Sequence, residues 1–438
     1  MSYAPKPARN GRAVFGFRRV SIGARPPCIG FDGGCLANRR GFGRFARRVR
    51  HALADEIGGD ELIVLIDHPS REFVEIPDRC TVIPVEVRES PSQAASSTGR
   101  RRLGDLLAMG RAASRTGLDL MYFPATYSAF PVWNVGRVVV TMHDTLALAQ
   151  PHLVFPNWKG RLAWAVKEHV AARRADLIVT VSQVARRDLM SWFHLPASRV
   201  AVVSEGPDPI FGPRLPGPES DAVLAARGIH PGGRYLLYVG GLSPHKNLPR
   251  LIEAFARSGL AGEGFQLVLV GDFADVFHTH VPAIRAAIER CRVDEQVVLT
   301  GFVPDSELVH LYNRTEALVQ PSLMEGFGLP PVEAMACGKP VVCSSAGSLP
   351  EVVGDAGLFF DPTDVPAMAD AMRLIIDDPG LRLTLASRAR ARAREFDWSR
   401  AARTLLERFD QLAGRPPQGP HWSRRRRAQT AGVRRPAE

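Results

Sequence analysis

The 438-residue sequence lacks several features that would assign it to a protein class at once. It contains no apolar run near the roughly 18 residues that span a bilayer, so we expect no transmembrane helix. Arg18 and Arg19 interrupt the apolar character of the N-terminal segment, so we expect no signal peptide. The six cysteines are scattered without C-x-x-C or zinc spacing, which is typical of buried thiols in a reducing compartment. These absences favour a cytoplasmic protein without membrane spans or disulfides.

The positive charge of the chain is concentrated at its two ends. Residues 1–25 and residues 413–438 each carry a formal charge of +6, against +11 for the whole chain, so the body is close to neutral. The Pro, Gly and Arg content of both ends predicts disorder. Solvated tails are the first interpretation, and attraction to an anionic membrane surface is the leading functional alternative. Nucleic-acid binding comes third, because no aromatic residues or reading motif accompany the arginines.

Short apolar runs such as "ELIVLID" and "FQLVLVGD" alternate with longer helical stretches through the body of the chain. Continuous apolar strands separated by helices are typical of parallel sheets covered on both faces. The chain exceeds the size at which a single core keeps growing, and residues 211–232 are rich in Pro and Gly. We therefore predict an α/β fold with two doubly wound domains. In such folds a ligand binds where loops follow the carboxyl ends of the strands.

A candidate phosphate site follows the apolar run "YLLYVGG". The next residues are "LSPHKNLPRL", in which Lys246 and Asn247 precede a predicted helix with Pro249 in its first turn. Backbone N–H groups at a helix start, beside a lysine, favour a phosphate. The G-K-[ST] order of a Walker loop is missing. A surface lysine in an ordinary loop is the competing interpretation.

The stretch "MEGFGLPPVEAMACGKPVV" places Glu325 and Glu333 eight positions apart around a predicted helix start. Pro331 suits the first helical position and Gly338 the position just beyond the helix end. Glu333 would then lie in the first turn, where the helix dipole stabilises an acid by about 0.3–1 kcal/mol. Stabilisation by the helix dipole explains in part why position 333 is a glutamate, but it does not explain Glu325.

A ligand with both phosphate and hydroxyl groups would explain both glutamates. The N–H groups at this helix start would face the ligand from Phe327, Gly328 and Leu329. A phosphate there would be repelled by two flanking carboxylates unless the carboxylates bind neutral hydroxyls. A nucleotide sugar has this layout, with a ribose, two phosphates and a hexose in sequence.

These segments resemble the retaining glycosyltransferases of family four, which have the two-domain GT-B fold. The E-x7-E pattern of Glu325 and Glu333 is followed by "GSLPEVVGDAGLFFDP", and "YVGGLSPHKNLPRLIEAF" and "LTGFVPDSELVHLYNRTEALVQPS" precede it in the order typical of that family. "VVTMHDTLAL", "ADLIVTVSQVARRDL" and "FDWSRAARTLLERF" are similar to its other segments. The resemblance covers residues 26–412 and is nearest to mannosyl- and rhamnosyl-type transferases of bacterial polysaccharides.

The resemblance implies a role for each matched residue. Glu325 would hold hydroxyls of the donor sugar, Glu333 would bind the ribose, and Lys246 would neutralise the departing diphosphate. His143 would approach the sugar from the acceptor side, although histidines at strand ends are often structural. The remaining donor-binding residues that the resemblance implies are glycines and backbone groups: Gly41, Gly43, Gly241, Asn247, Phe302, Val303, Phe327, Gly328 and Leu329.

Two positions depart from the family pattern and remove a cation. Many relatives have an arginine where this chain has Gly241, and others have an arginine where this chain has His245. Lys246 would then be the main fixed charge on the leaving group, with His245 contributing according to pH. Arg44 or an unplaced basic residue could compensate. Because no Asp-x-Asp motif is present, we predict no catalytic metal, the helix start and the lysine replacing it.

The resemblance also implies how the chain is divided and what it does. We expect a retaining, metal-independent hexosyltransferase that moves a mannose- or rhamnose-like sugar from a nucleoside diphosphate to an acceptor hydroxyl on a saccharide or lipid-linked saccharide, at the cytoplasmic face of the membrane. No cofactor is implied, since the nucleotide sugar is a substrate. A catalytically silent nucleotide-sugar-binding scaffold of the same fold is the alternative. The expected divisions are a flexible segment 1–25, an acceptor domain 26–210, a linker 211–232, a donor domain 233–395, a crossover helix 396–412 and a disordered tail 413–438.

Overall fold

The computed structural model describes residues 27–38, 41–57, 62–71, 74, 76, 80–89, 102–155, 157–273 and 280–414. The basic ends, with the disorder and the membrane attraction expected of them, lie outside these residues apart from Ala413 and Gly414. Among the described residues, no helix is both long enough and apolar enough to cross a membrane.

The first half of the chain forms a parallel sheet of seven described strands with helices between them. The strands are β1 (Ile29–Asp32), β2 (Leu62–Asp67), β3 (Thr81–Val85), β4 (Leu120–Phe123), β5 (Arg137–Thr141), β6 (Leu177–Thr180) and β7 (Val200–Val202). The helices are α1 (Gly41–Ile57), α2 (His68–Arg71), α3 (Leu103–Arg115), α4 (Leu146–Ala149), α5 (Pro151–Val154), α6 (Trp158–Arg174) and α7 (Gln183–Phe193). The strand order is β3-β2-β1-β4-β5-β6-β7.

The second half forms a parallel sheet of six described strands. Helix α8 (Pro218–Ala226) precedes it. The strands are β8 (Tyr235–Val239), β9 (Gln266–Val270), β10 (Val297–Gly301), β11 (Ala317–Gln320), β12 (Val341–Ser344) and β13 (Gly357–Phe360), in the order β10-β9-β8-β11-β12-β13. The helices are α9 (Leu248–Arg257), α10 (Val281–Cys291), α11 (Asp305–Arg314), α12 (Leu329–Ala336), α13 (Leu349–Val353), α14 (Val365–Asp377), α15 (Pro379–Ala393) and α16 (Trp398–Leu412).

The predicted fold class, two doubly wound α/β sheets, is confirmed. Strand β2, "LIVLID", is buried along its whole length, as expected of a strand covered on both faces. Helix α9 buries Leu251, Ile252 and Phe255 on one side, as its 3.6-residue periodicity predicts. In both sheets the strand order reverses once, between β1 and β4 and between β8 and β11. Loops that follow strands at these switch points form the crevice in which α/β proteins bind ligands.

Helix α12 begins two residues earlier than predicted. It starts at Leu329 rather than at Pro331, because Gly328 adopts a positive φ of 107° that turns the chain into the helix. The prolines occupy the next two positions, where a missing N–H leaves no helical bond unmade. Glu333 therefore lies beyond the first turn, and the predicted dipole contribution to it is wrong. The predicted end is confirmed, since Gly338 has a φ of 74° just past the helix.

Helix α16 packs against α1, beside the first sheet. Phe409 of α16 is buried and its ring centroid lies 5.5 Å from that of Tyr122 in β4. The ring centroids of Trp398 in α16 and Phe45 in α1 are 5.8 Å apart. The end of the described chain is thus joined to the half in which the chain begins. This contact fixes the position of α1, whose start forms one wall of the crevice.

Candidate active site

Glu325 lies in the turn between β11 and α12, and three donors converge on one of its oxygens. Oε1 accepts from Lys246 Nζ at 2.7 Å, from Gln320 Nε2 at 2.9 Å and from Ser322 Oγ at 2.7 Å. Burial would raise the pKa of Glu325, but the charge of Lys246 and these hydrogen bonds outweigh it and lower the pKa. The side chain is 12% exposed. Glu325 is therefore an ionised, oriented carboxylate at neutral pH.

Lys246 ends the turn Pro244–Lys246 that follows β8, the neighbour of β11. The next residue, Asn247, has a φ of 61° and is buried. Its amide nitrogen Nδ2 donates to the carbonyl oxygens of Pro321 at 3.1 Å and Pro362 at 2.7 Å. Asn247 thereby ties the lysine turn to the loop that carries Glu325. The Asn247 side chain thus positions Lys246, and contact of Asn247 with a donor stays a prediction.

His245 does not supply the pH-dependent charge expected of it. Burial, followed by the neighbouring charge of Lys246, lowers the pKa of His245 to about 3. Its Nδ1 lies 3.2 Å from Ser243 Oγ. The imidazole is therefore neutral at physiological pH, and Lys246 carries the positive charge of this turn.

Glu333 is buried and contacts two partners with its two oxygens. Oε1 pairs with the guanidinium of Arg44, and Oε2 accepts from Tyr312 OH at 2.9 Å. Burial raises the pKa of Glu333 more than Arg44 and Tyr312 lower it. The carboxylate is 2% exposed, so Arg44 is the contact that makes its charge tolerable.

Arg44 joins the two halves of the protein. It lies in the first turn of α1, and its two terminal nitrogens contact Glu333 and Asp305, both in the second half. Burial would lower the pKa of Arg44, but these carboxylates raise it. The suggestion that Arg44 replaces a diphosphate-binding arginine stays a prediction, since here its charge is directed to the glutamate assigned to the ribose.

His143 follows β5, and the structure brings its backbone to the Glu325 turn. A Cβ added to Gly326 would lie 2.6 Å from the carbonyl oxygen of His143, so only glycine permits this approach. The imidazole itself is held by protein groups: Nε2 is 3.1 Å from the Pro124 carbonyl oxygen and Nδ1 is 3.4 Å from Glu205 Oε1. A direct approach of the ring to a sugar stays a prediction, and it requires one of these contacts to be exchanged.

Two further contacts between the halves were missed by the sequence interpretation. Ser182 Oγ donates to the carbonyl oxygen of Gly326 at 2.7 Å, next to Glu325. Glu351 accepts from the N–H groups of Gln183 at 2.8 Å and Val184 at 3.0 Å, capping α7 from the opposite half. The sequence signal for Ser182 was its position between an apolar strand and a helix, but that pattern does not reveal a partner in the other half.

Asp144 is a second missed acidic residue. It follows His143 directly and lies against Gly326. Burial raises the pKa of Asp144 despite a 2.9 Å hydrogen bond from the Leu146 N–H and the nearby charge of Lys246. Its position after a strand, beside a residue already singled out, was a usable signal. The crevice thus holds a carboxylate from each half near one lysine.

The other predicted residues differ in exposure. Gly41 begins α1 and is exposed, and Gly43 lies two residues on against the backbone of Asn38. The remaining predicted donor-binding residues are either exposed or buried. Gly241 and Phe302 are exposed, whereas the side chains of Val303, Phe327 and Leu329 are in the core and can offer only backbone groups. Their contacts with a donor stay predictions.

This geometry agrees with the comparisons with known proteins. The chain matches Glycosyltransferase Family 4 over residues 39–211 and Glycosyl transferases group 1 over residues 221–392. O-antigen chain mannosyltransferase B of Escherichia coli is 33% identical over 280 residues, covering 63% of this chain and 71% of that protein. The chain therefore belongs to glycosyltransferase family 4, a family of retaining enzymes.

Solved structures show the same fold at low identity. Sucrose-phosphate synthase from Thermosynechococcus elongatus superposes with a TM-score of 0.70 and 22% identity, covering 88% of this chain and 99% of that one. The Anabaena HepE protein, solved in complex with UDP-glucose, superposes with a TM-score of 0.62 and 22% sequence identity. The match covers 88% of this chain and 98% of that one. The protein has the GT-B fold, as predicted.

Arg44→Met tests whether Arg44 neutralises Glu333. A buried carboxylate without its cation costs about 3 kcal/mol, so the thermal unfolding midpoint at about pH 8 falls by several degrees. The loss shrinks toward about pH 5, because the raised pKa of Glu333 lets it bind a proton there. Arg403→Met, which removes a more exposed pair with Glu56, is the control and changes little. An equal loss at both pH values would contradict the assignment.

His245→Gln tests the neutrality of the imidazole. The unfolded histidine takes up a proton near pH 6.5 but the folded one only near pH 3, so acid favours unfolding of the wild-type chain. We expect the variant to lose less thermal stability than the wild type between about pH 7 and about pH 5. His51→Gln changes a side chain that is 54% exposed and is the control: it should lose as much thermal stability over this pH range as the wild type does. A wild-type acid response in His245→Gln would show that the histidine is charged in the fold.

Proposed function

We propose that the protein transfers a hexose, mannose- or rhamnose-like, from a nucleoside-diphosphate sugar to an acceptor hydroxyl with retention of configuration. The observation that carries this proposal is the Lys246–Glu325 pair at the start of α12, where a cation, a carboxylate and helix N–H groups meet. A cation and amides suit a departing diphosphate, and an ionised carboxylate suits sugar hydroxyls.

Each group acts at a stated part of the donor. Lys246 and the N–H groups of Phe327, Gly328 and Leu329 stabilise the diphosphate as the bond between the anomeric carbon and the phosphate oxygen breaks. The acceptor oxygen forms its bond on the same face, and its proton passes to a phosphate oxygen. Glu325 orients the sugar hydroxyls. Backbone groups of Phe302 and Val303 flank the base, and Gly41, Gly43 and Gly241 let the phosphates approach the backbone.

Binding of the ribose to Glu333 requires Arg44 or Tyr312 to move, because the Glu333 side chain is only 2% exposed. Both carboxylate oxygens already have a protein contact, one with Arg44 and one with Tyr312. Ribose hydroxyls can take the place of the Tyr312 hydroxyl, which then needs a new partner because Tyr312 is fully buried, or take the place of Arg44 and release its charge toward the diphosphate. In the second case Arg44 supplies the positive charge that relatives have in an arginine and that this chain lacks at Gly241 and His245.

The relatives support the proposed donor and pathway. O-antigen chain mannosyltransferase B acts, by its name, in bacterial surface polysaccharide synthesis, and HepE was solved with UDP-glucose. For this chain we propose a saccharide or lipid-linked saccharide acceptor and a cytoplasmic location at the inner membrane face. We also propose that the chain divides into an acceptor domain 26–210, a linker 211–232, a donor domain 233–395 and a crossover helix 396–412. His143 and Asp144 would then face the acceptor.

Glu325→Gln tests the proposed role most simply in an assay of sugar transfer from GDP-, UDP- and dTDP-sugars. Loss of a preorganised charge at the reacting centre lowers kcat/KM by about 100-fold or more. The amide keeps the shape of the side chain but leaves Lys246 without its anion, so the thermal midpoint falls as well, and transfer is measured at a temperature at which the variant stays folded. Glu263→Gln, an exposed glutamate paired with Arg373, is the matched control. Undiminished transfer by Glu325→Gln would remove Glu325 from the mechanism.

A silent nucleotide-sugar-binding scaffold makes a different prediction for the wild-type chain. A donor at about 100 times its dissociation constant would stabilise the fold by about 2.7 kcal/mol, yet no acceptor of a saccharide panel would be glycosylated. Donor-dependent stabilisation together with product formation would exclude the scaffold.

A further inference from the structure

Helix α6 exposes a continuous apolar surface that the candidate site does not use. Trp158, Leu162, Val166 and Val170 are 66%, 56%, 55% and 54% exposed. They recur at every fourth residue and therefore lie on one face of the helix, which we call the α6 stripe. Single exposed apolar residues are ordinary, but four in a row on one helix indicate an interaction surface.

The exposed charges that α6 itself carries are positive. Lys159, Arg173 and Arg174 are exposed on the same helix. The single acidic residue of α6, Glu168, is 5% exposed and accepts a hydrogen bond from Thr126. The solvent face of α6 therefore combines large apolar side chains with cations and has no anion of its own. This combination is typical of helices that lie in the interface of an anionic bilayer.

We propose that the α6 stripe binds an anionic lipid surface, with α6 lying in the plane of the interface. The charge pattern favours this occupant over a second copy of the chain. Two copies meeting through this face would bring three cations against three, and like charges in an interface oppose association. A lipid surface offers acyl chains to Trp158, Leu162, Val166 and Val170 and anionic headgroups to the flanking cations.

The position of α6 gives such binding a consequence for the site. Helix α5, just before α6 in the chain, packs against the Pro244–Lys246 turn. On the buried side of α6, Lys167 contacts the carbonyl oxygen of Tyr127, in the segment that follows β4. The stripe thus lies near the rim of the crevice. Lipid binding would bring the crevice to the bilayer surface, within reach of a lipid-linked acceptor, a consequence that rests on the proposed function.

Co-sedimentation of the full chain with vesicles tests the proposal. We expect binding to vesicles of about three parts phosphatidylcholine to one part phosphatidylglycerol, and at least about tenfold weaker binding to phosphatidylcholine alone. The double variant Leu162→Glu/Val166→Glu should reduce binding to the anionic vesicles at least about tenfold, since it removes apolar contact and adds negative charge. Leu383→Glu on α15, at a residue 73% exposed, is the matched control and should bind as the wild type does.

Several outcomes would overturn the proposal. Unchanged vesicle binding by the double variant would contradict the proposal. Vesicle binding would then be assigned to the basic ends of the chain, and a variant with serine at residues 424–427 tests that assignment. A halved mass of the double variant in light scattering, with vesicle binding retained, would make the stripe a self-association surface. A milder variant, Leu162→Ser/Val166→Ser, covers the case in which the glutamates unfold the helix, and it should also bind more weakly. Transfer to a water-soluble acceptor, measured on the same samples, separates this result from a failure of the proposed function.

Discussion

The ion pair between Lys246 and Glu325 is the contact on which the arrangement of the crevice depends. It joins the turns after β8 and β11, the two strands at which the second sheet reverses its order. Neither charge would be tolerated alone at this depth, and each fixes the geometry of the other. The residue after Glu325 is Gly326, whose carbonyl oxygen accepts from Ser182 of the first half. The same short turn therefore carries the glutamate proposed to bind the donor and contacts the other half of the protein.

A second charged contact links the two halves of the protein. Arg44 from the first half pairs with Glu333 and Asp305 from the second, and this makes a buried carboxylate compatible with the fold. The ligand-free arrangement is therefore already held in contact across the crevice. If Glu333 binds the ribose as proposed, Arg44 or Tyr312 must move, and donor binding is then coupled to the contact between the two halves.

The sequence predicted the features that depend on local pattern and missed those that depend on distant contacts. The apolar runs indicated both sheets, and the glycines and prolines indicated α12, although Gly328 starts that helix earlier than the prolines suggested. Arg44 and Glu333 are 289 positions apart, and no local pattern links them. The neutral state of His245 likewise follows from burial in the folded chain, which spacing alone does not reveal.

The central claim is that Lys246 is the cation for the donor diphosphate. Calorimetric titration of Lys246→Met with a nucleoside and with its diphosphate tests it most directly, using the base that the wild-type chain binds. We expect at least about tenfold weaker binding of the diphosphate, because a charge-assisted contact is lost, and a much smaller loss for the nucleoside, which carries no phosphate for Lys246 to bind. Equal losses for both ligands, or no loss for the diphosphate, would contradict it.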